Sequence, residues 1–275
     1  AAGRRAQELS VPLIALTPIL MVWVGNGITA RILIATMAAL FPLLVGAVHH
    51  TIASSVYKKL PYDFQKDLAP ITTIALVPNV LVVNASTPVK TVAALVKLAK
   101  AEPGKLTYGS NGNGTAQHLI GTQFQNLTGT EITHIPYKGS GPSFADLLGG
   151  HVSLTFDSML QALPYIRDRK LVPLGVLGPK RVAALPEVPT IAEQGVPGYA
   201  LTNWFGLVVP AATPKDLIAR VHGDFTKALL QKDIRDRIAA MGADAVGNSP
   251  EAFAQFWRAE SDKWARIVRD ANIRA

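Results

Sequence analysis

The stretch ITTIALVPNVLVVNAS, residues 71–86, decides how the chain is organised. It reads as two strands, the second of them a continuous apolar run over residues 80–83 that asks for burial on both faces. This run leaves one series of α/β elements, and LTNWFGLVVP, residues 201–210, reads as a strand that returns to it. Between them, helical and extended patterns alternate. TPVKTVAALVKLAKAEPGKL (87–106) reads as a helix opened near Thr87-Pro88 and closed by Pro103-Gly104. Strands follow in KLTYGS (105–110), EITHIPYKG (131–139), HVSLTFDSM (151–159, ending at Asp157) and LVPLGVLG (171–178), with a helix in SFADLLGG (143–150). Such alternation argues for mainly parallel sheets. The segment 178–199 is rich in Pro and Gly and reads as a loop with one helical turn. Thr213, Pro214 and Asp216 open a further helix. In the last one, Phe253, Phe256, Trp257, Trp264, Ile267 and Val268 share a face, which reads as core.

The most informative loop is TYGSNGNGTAQHLIGTQF, residues 107–124. Gly109, Gly112 and Gly114 run into a segment where Leu119, Ile120, Gln123, Phe124 and Leu127 keep helical spacing. Thr115 is placed to be its N-cap, with Ala116, Gln117 and His118 in the first turn. The N–H groups of that turn lack intrahelical partners and sit at the positive end of the helix dipole. Glycines just before it let a ligand approach the backbone. The loop therefore suits a carboxylate or phosphate. A dinucleotide fingerprint would need glycine where Gln117 stands, and no Gly-Lys-Ser/Thr follows, so a small anion fits better than a nucleotide.

The chain has 275 residues, a net charge of +8, no cysteine and six histidines. This length serves one large domain or two α/β lobes. The basic residues are scattered, with no basic block or aromatic stripe, which argues against nucleic acid. Without cysteine there is no disulfide, thiolate nucleophile or Cys-based zinc site. No Gly-x-Ser-x-Gly elbow occurs, and the neighbouring His49 and His50 would diverge on a regular element, so no metal, cofactor or catalytic residue is assigned. Between Leu9 and Tyr57 the only formally charged residue is Arg31, yet Pro12, Pro18, Arg31 and Pro42 weaken any membrane span, and no signal-peptide pattern is legible.

Five blocks then carry a resemblance: YKKLPYDFQKDLAPIT (57–72), PGKLTYGSNGNGTAQHL (103–119), IPYKGSGPSFADLLGGHV (135–152), RVAALPEVPTIAEQGVPGY (181–199) and WFGLVVPAATP (204–214). In this order they closely resemble the tripartite tricarboxylate transporter receptors, the Bug-type solute-binding proteins. The resemblance implies a periplasmic, monomeric, non-enzymatic receptor with a type II periplasmic-binding-protein fold, two α/β lobes joined by crossing strands. It implies a small organic acid in the cleft (a dicarboxylate, acidic amino acid or related acid) and delivery to an integral-membrane permease. Lobe 1 is expected to comprise residues 1–84 plus 201–275 and lobe 2 residues 85–200.

On that basis Ser110, Asn113, Gly114 and Thr115 are expected to contact a carboxylate from lobe 2. Asp157 would receive a ligand hydroxyl or ammonium group, or fix the neighbouring loop by hydrogen bonds. Val48, His49 and His50 would face the ligand from lobe 1, and Tyr137 and Trp204 are candidates to wall the cleft. The chain departs from the family at its start. It opens on GRRAQELS, which resembles the middle of the family's first helix, past a Gly-Gly-rich, Asp-containing loop. Ala39, Leu40, Phe41 and Pro42 stand where the family has Asp-Gly-Tyr-Thr. The departure over about residues 1–45 reads either as a truncated, divergent start or as a faulty stretch of sequence; the second is preferred, and the apolar bias is then its by-product. Two rivals compete with the receptor: an enzyme on the same two-lobed fold, with Asp157 and either His118 or His49 as its acid/base pair, and the ligand-sensing half of a transcription regulator.

Overall fold

The computed structural model describes residues 44–57, 60 and 63–271. Most of the apolar N-terminal segment, and with it the expectation about its departure from the family, lies outside the described residues. Strand β1 (Leu44–Ala47) leads into helix α1 (Val48–Val56), and then comes the organising element, strand β2 (Leu68–Asn84). The two strands expected over residues 71–86 are one, 17 residues long. Its first part pairs antiparallel with β7 (Thr202–Pro210), from Leu68 opposite Pro210 to Pro78 opposite Thr202. From Asn79 onward it pairs instead with β5 (Leu154–Ser158) on one side and β6 (Leu171–Val176) on the other. Pro78 has no N–H to give a ladder, and it stands at the handover between partners. Val80, Leu81, Val82 and Val83 are fully buried, as a strand covered on both faces requires.

The remaining elements are helix α2 (Val92–Ala101), strand β3 (Thr107–Ser110), helix α3 (Ala116–Thr128), strand β4 (Thr133–Pro136), helices α4 (Ser140–Gly149), α5 (Met159–Arg167), α6 (Lys215–Leu230) and α7 (Lys232–Ala240), strand β8 (Asp244–Ala245) and helix α8 (Pro250–Asp270). β1 lies outside β7, and β8 lies on β2, both antiparallel. In the second sheet β3 is parallel to both β4 and β5. The expectation of mainly parallel sheets is thus corrected. Every described ladder that β2 forms is antiparallel, because β2 runs through both sheets against the strands that flank it. Helix α2 also begins later than the Thr87-Pro88 signal suggests. Its cap is Thr91, whose hydroxyl accepts the N–H of Ala94 at 3.1 Å.

Helix α8 behaves as its pattern predicts. Ser249 caps it through the N–H of Ala252, Pro250 opens it, and Phe253, Trp257, Trp264, Ile267 and Val268 are buried. This stripe joins one core with α1, α2, α3 and the C-terminal part of β2, while separate apolar clusters lie under α4–α5 and under α6–α7. Among the described residues no helix is long and apolar enough to cross a membrane.

Contact between α8 and β7 depends on Gly206. A Cβ there would stand 2.1 Å from Cζ of Phe253, whose ring is held edge-on to Trp204 with centroids 5.7 Å apart. Gly206→Ala should therefore cost about 1–3 kcal/mol by overpacking. In urea unfolding the cost should shrink in a Phe253→Leu background; an equal cost in both backgrounds would exclude the ring as its cause.

Candidate functional site

The C-terminal ends of the parallel strands β3, β4 and β5 share one edge of the second sheet, and each strand runs into a helix there. None of these helices, α3, α4 and α5, receives a side-chain hydrogen bond from its N-cap residue, which is Thr115, Gly139 and Ser158 respectively. Their first-turn N–H groups and dipoles therefore add positive potential to the same edge. Short hydrogen bonds tie the three starts together. Tyr137 N donates to Ser110 O at 3.0 Å, Ser140 Oγ to Asn111 Oδ1 at 3.0 Å, and Gln117 Nε2 to Asp157 Oδ1 at 3.3 Å.

Within the Gly-rich loop, most of the expected ligand contacts are already engaged. Ser110 is buried; its hydroxyl accepts the N–H of Gly112 at 3.1 Å and lies 2.6 Å from Nε2 of His134. Thr115 takes the extended backbone of an N-cap, as expected, but its hydroxyl turns back to donate to Gly112 O at 2.7 Å. Gly114 sits at φ +72°, a conformation that glycine adopts without strain, and its N–H donates to Nδ1 of His118 at 3.1 Å. Asn113 is exposed at the tip. The loop is thus folded by its own side chains; Asn113 is left outward, while Ala116 and Gln117 at the start of α3 are buried.

Asp157 is buried in β5. Its Oδ1 accepts from Ser158 N at 2.7 Å and from Gln117, while Oδ2 has no partner among the described residues. Burial pushes its pKa up, opposed by the bonds from Ser158 and Gln117. The hydrogen bonds of Asp157 and His118 run to different partners, so the pair nominated for acid/base chemistry is not in contact.

The other candidates divide. Val48 is 1% exposed, so its side chain belongs to the core and only its backbone could face a ligand. His49 is open to solvent. The ring of His50 stacks on Phe64 at 4.6 Å. Helix α1 approaches the Gly-rich loop at its far end, where a Cβ on Gly114 would touch Val56 at 3.4 Å. Tyr137 is half-buried, and its hydroxyl donates to Asp146 Oδ2 at 2.6 Å; burial and that carboxylate raise its pKa to about 12. Trp204 is fully buried, its ring edge-on to Phe253 and to Phe256, so the packing it makes is with the core. Sequence reasoning missed Gln117 as the partner of Asp157, Ser140 at the start of α4, and His134. A polar residue at a helical position that proved fully buried was the only available signal for Gln117.

The charge on Asp157 carries a testable cost. A carboxyl whose folded pKa lies above its unfolded value opposes folding fully above the folded pKa, and that penalty fades as the pH falls through it. Asp157→Asn keeps the acceptor for Ser158 and Gln117 and removes the buried charge. It should raise the melting temperature at pH 7.5 by about 2–4 °C for each kcal/mol relieved, with the gain shrinking toward pH 4. Calorimetry at the two pH values checks both parts.

Comparison with known proteins gives the family and the fold. Residues 24–273 match the family described as "Tripartite tricarboxylate transporter family receptor". Protein BugT of Bordetella pertussis is 35% identical over 233 residues, 85% of this chain and 69% of that protein. Among solved structures, R. palustris Rpa4515 with adipate superposes with a TM-score of 0.79 at 34% identity, covering 84% of this chain and 78% of the other. MatC from Rhodopseudomonas palustris with bound malate gives 0.74 at 26% identity, covering 88% and 85%. The chain is an α/β protein of the periplasmic-binding-protein fold, and it belongs to the tripartite tricarboxylate transporter receptors, a family of solute-binding proteins.

Proposed function

We propose that this protein is a periplasmic receptor that captures a small dicarboxylate or related organic acid and hands it to an integral-membrane permease, without transforming it. One observation carries the reading: three helix N-termini without side-chain caps, those of α3, α4 and α5, open on one edge of the second sheet. Adipate and malate in the related structures, both dicarboxylates, support the choice of ligand class. Residues 1–84 plus 201–275 would form one lobe and residues 85–200 the other, with the ligand between them. One carboxylate would dock on Asn113, Gly114 and the first turn of α3 after Thr115, with Ser110 shaping the loop from beneath. Asp157 would meet a ligand hydroxyl or ammonium group once its free oxygen is reached. The start of α1, through the Val48 backbone, His49 and His50, would approach from the other lobe, with Tyr137 beside the loop. No arginine stands in the Gly-rich loop, so recognition would rest on N–H groups and hydroxyls, and several acids of similar length would be accepted.

A thermal-shift series tests the class. At a hundred times its dissociation constant a ligand adds about 2.7 kcal/mol of stability, so adipate or malate should raise the melting temperature visibly. Neutral sugars and cationic amino acids should leave it unchanged. Asn113→Ala, which disturbs no described hydrogen bond, should weaken adipate binding several-fold in calorimetry while the ligand-free protein melts as before. Unchanged affinity would remove the loop from the site. Adipate recovered unaltered after long incubation is the expected result for a receptor, and turnover would favour the enzyme.

A further inference from the structure

Two imidazoles that the proposed ligand contacts do not use lie face to face behind the Gly-rich loop. The rings of His118, in the first turn of α3, and His134, in β4, are stacked with centroids 4.0 Å apart and planes 6° apart. Tyr108 of β3 also stacks on His134, at 4.9 Å and 30°. Each imidazole holds one end of the loop. Nε2 of His134 is 2.6 Å from the Ser110 hydroxyl at its start, and Nδ1 of His118 accepts the N–H of Gly114 at its end. That second bond requires a neutral His118 with its proton on Nε2, since an imidazolium has no lone pair to offer.

The titratable neighbours are few. Tyr108 donates its hydroxyl to His118 O at 3.3 Å, and Tyr199 donates to Ile120 O on the same helix. Asp157 is hydrogen-bonded to Gln117 and Ser158, and among the described residues no carboxylate is hydrogen-bonded to either ring. Protonating His118 would therefore break the Gly114 bond with no acid on hand to reseat the ring.

We infer that the His118–His134 stack is a prop that sets the Gly-rich loop for a carboxylate and that protonation of His118 releases it, an inference that rests on the carboxylate site proposed above. Both histidines are positioning residues, not ligand contacts. Burial lowers the pKa of each, that of His134 to about 4 with the charge of His118 as a second cause. The prop is therefore intact at neutral pH, and protonation of His118 in acid removes the Gly114 bond.

NMR of the full ¹⁵N-labelled chain without ligand tests the prop directly. At pH 7.5 His118 should carry its proton on Nε2. The Gly114 amide resonance should move with the His118 titration, at a midpoint below 6.5. A proton on Nδ1 of His118, or a Gly114 amide indifferent to that titration, would overturn the inference. Calorimetry with adipate tests the coupling to binding. His118→Phe keeps a flat ring on the stack but no acceptor, and should bind adipate about tenfold more weakly at pH 7.5, the size of one lost hydrogen bond. Below the midpoint the native protein should converge on the variant, whose own pH dependence reports protonation of adipate itself. Native-like affinity in His118→Phe at pH 7.5 would overturn the coupling. If neither adipate nor malate binds the native protein at any pH, the proposed function falls, while the Gly114 and imidazole resonances still decide whether the prop exists.

Discussion

Everything described here hangs on one strand serving two sheets. β2 is paired along nearly its whole length and on both sides over residues 80–83, where Val80, Leu81, Val82 and Val83 have no solvent on either face. A strand in that position must be apolar throughout, must be long, and must tolerate a change of partner in its middle. Pro78 is compatible with the last requirement because the missing N–H falls where one ladder ends and another begins. Two buried amides bind the crossing strands at the same level. Asn203 of β7 donates to Asn79 of β2 at 2.9 Å, and Asn79 donates to Leu201 O at 3.4 Å. Buried side chains of this kind are costly to leave unpaired, so they favour one register where apolar contacts alone would allow several.

The orientation of the second sheet follows from β2 and determines the electrostatics of the candidate site. Since β3, β4 and β5 run parallel to one another and β5 runs against β2, three strand ends and three helix starts share one edge. Side chains that would ordinarily cap those helices are absent or turned elsewhere, as with the hydroxyl of Thr115. The edge carries positive potential from the backbone with no basic side chain in the loop. A site built this way reads charge and length more than chemical detail. Asp157 is the exception, a buried carboxylate held among those helix starts with one oxygen unpaired. Its cost to stability is of the kind that functional sites retain.

Much of this was legible in the residues. The hydrophobic run 80–83, the glycines before the start of α3, the stripe of α8 and the end of β5 near Asp157 depend on local periodicity and backbone preference, which neighbouring residues alone decide. The blocks of family resemblance gave the receptor fold. What periodicity could not reach were long-range choices. The two strands read within 71–86 look alike whether they are joined or separate, and only the partners β7, β5 and β6 make them one. Ladder direction failed for the same reason, since α/β alternation says nothing about a strand threaded backwards through the sheet.

The site divides along the same line. The sequence by itself determined that a Gly-rich turn meets a helix N-terminus at Thr115, because positive φ and N-capping are properties of single residues. Tertiary structure alone decided that Trp204 is packing, that Gln117 reaches Asp157, and that His118 and His134 share a stack. Those outcomes depend on which side chains from distant segments come within a few ångströms of each other. Side-chain hydrogen bonds and ring contacts are short-ranged, so residue type cannot foretell them until the sheet has set the strands side by side.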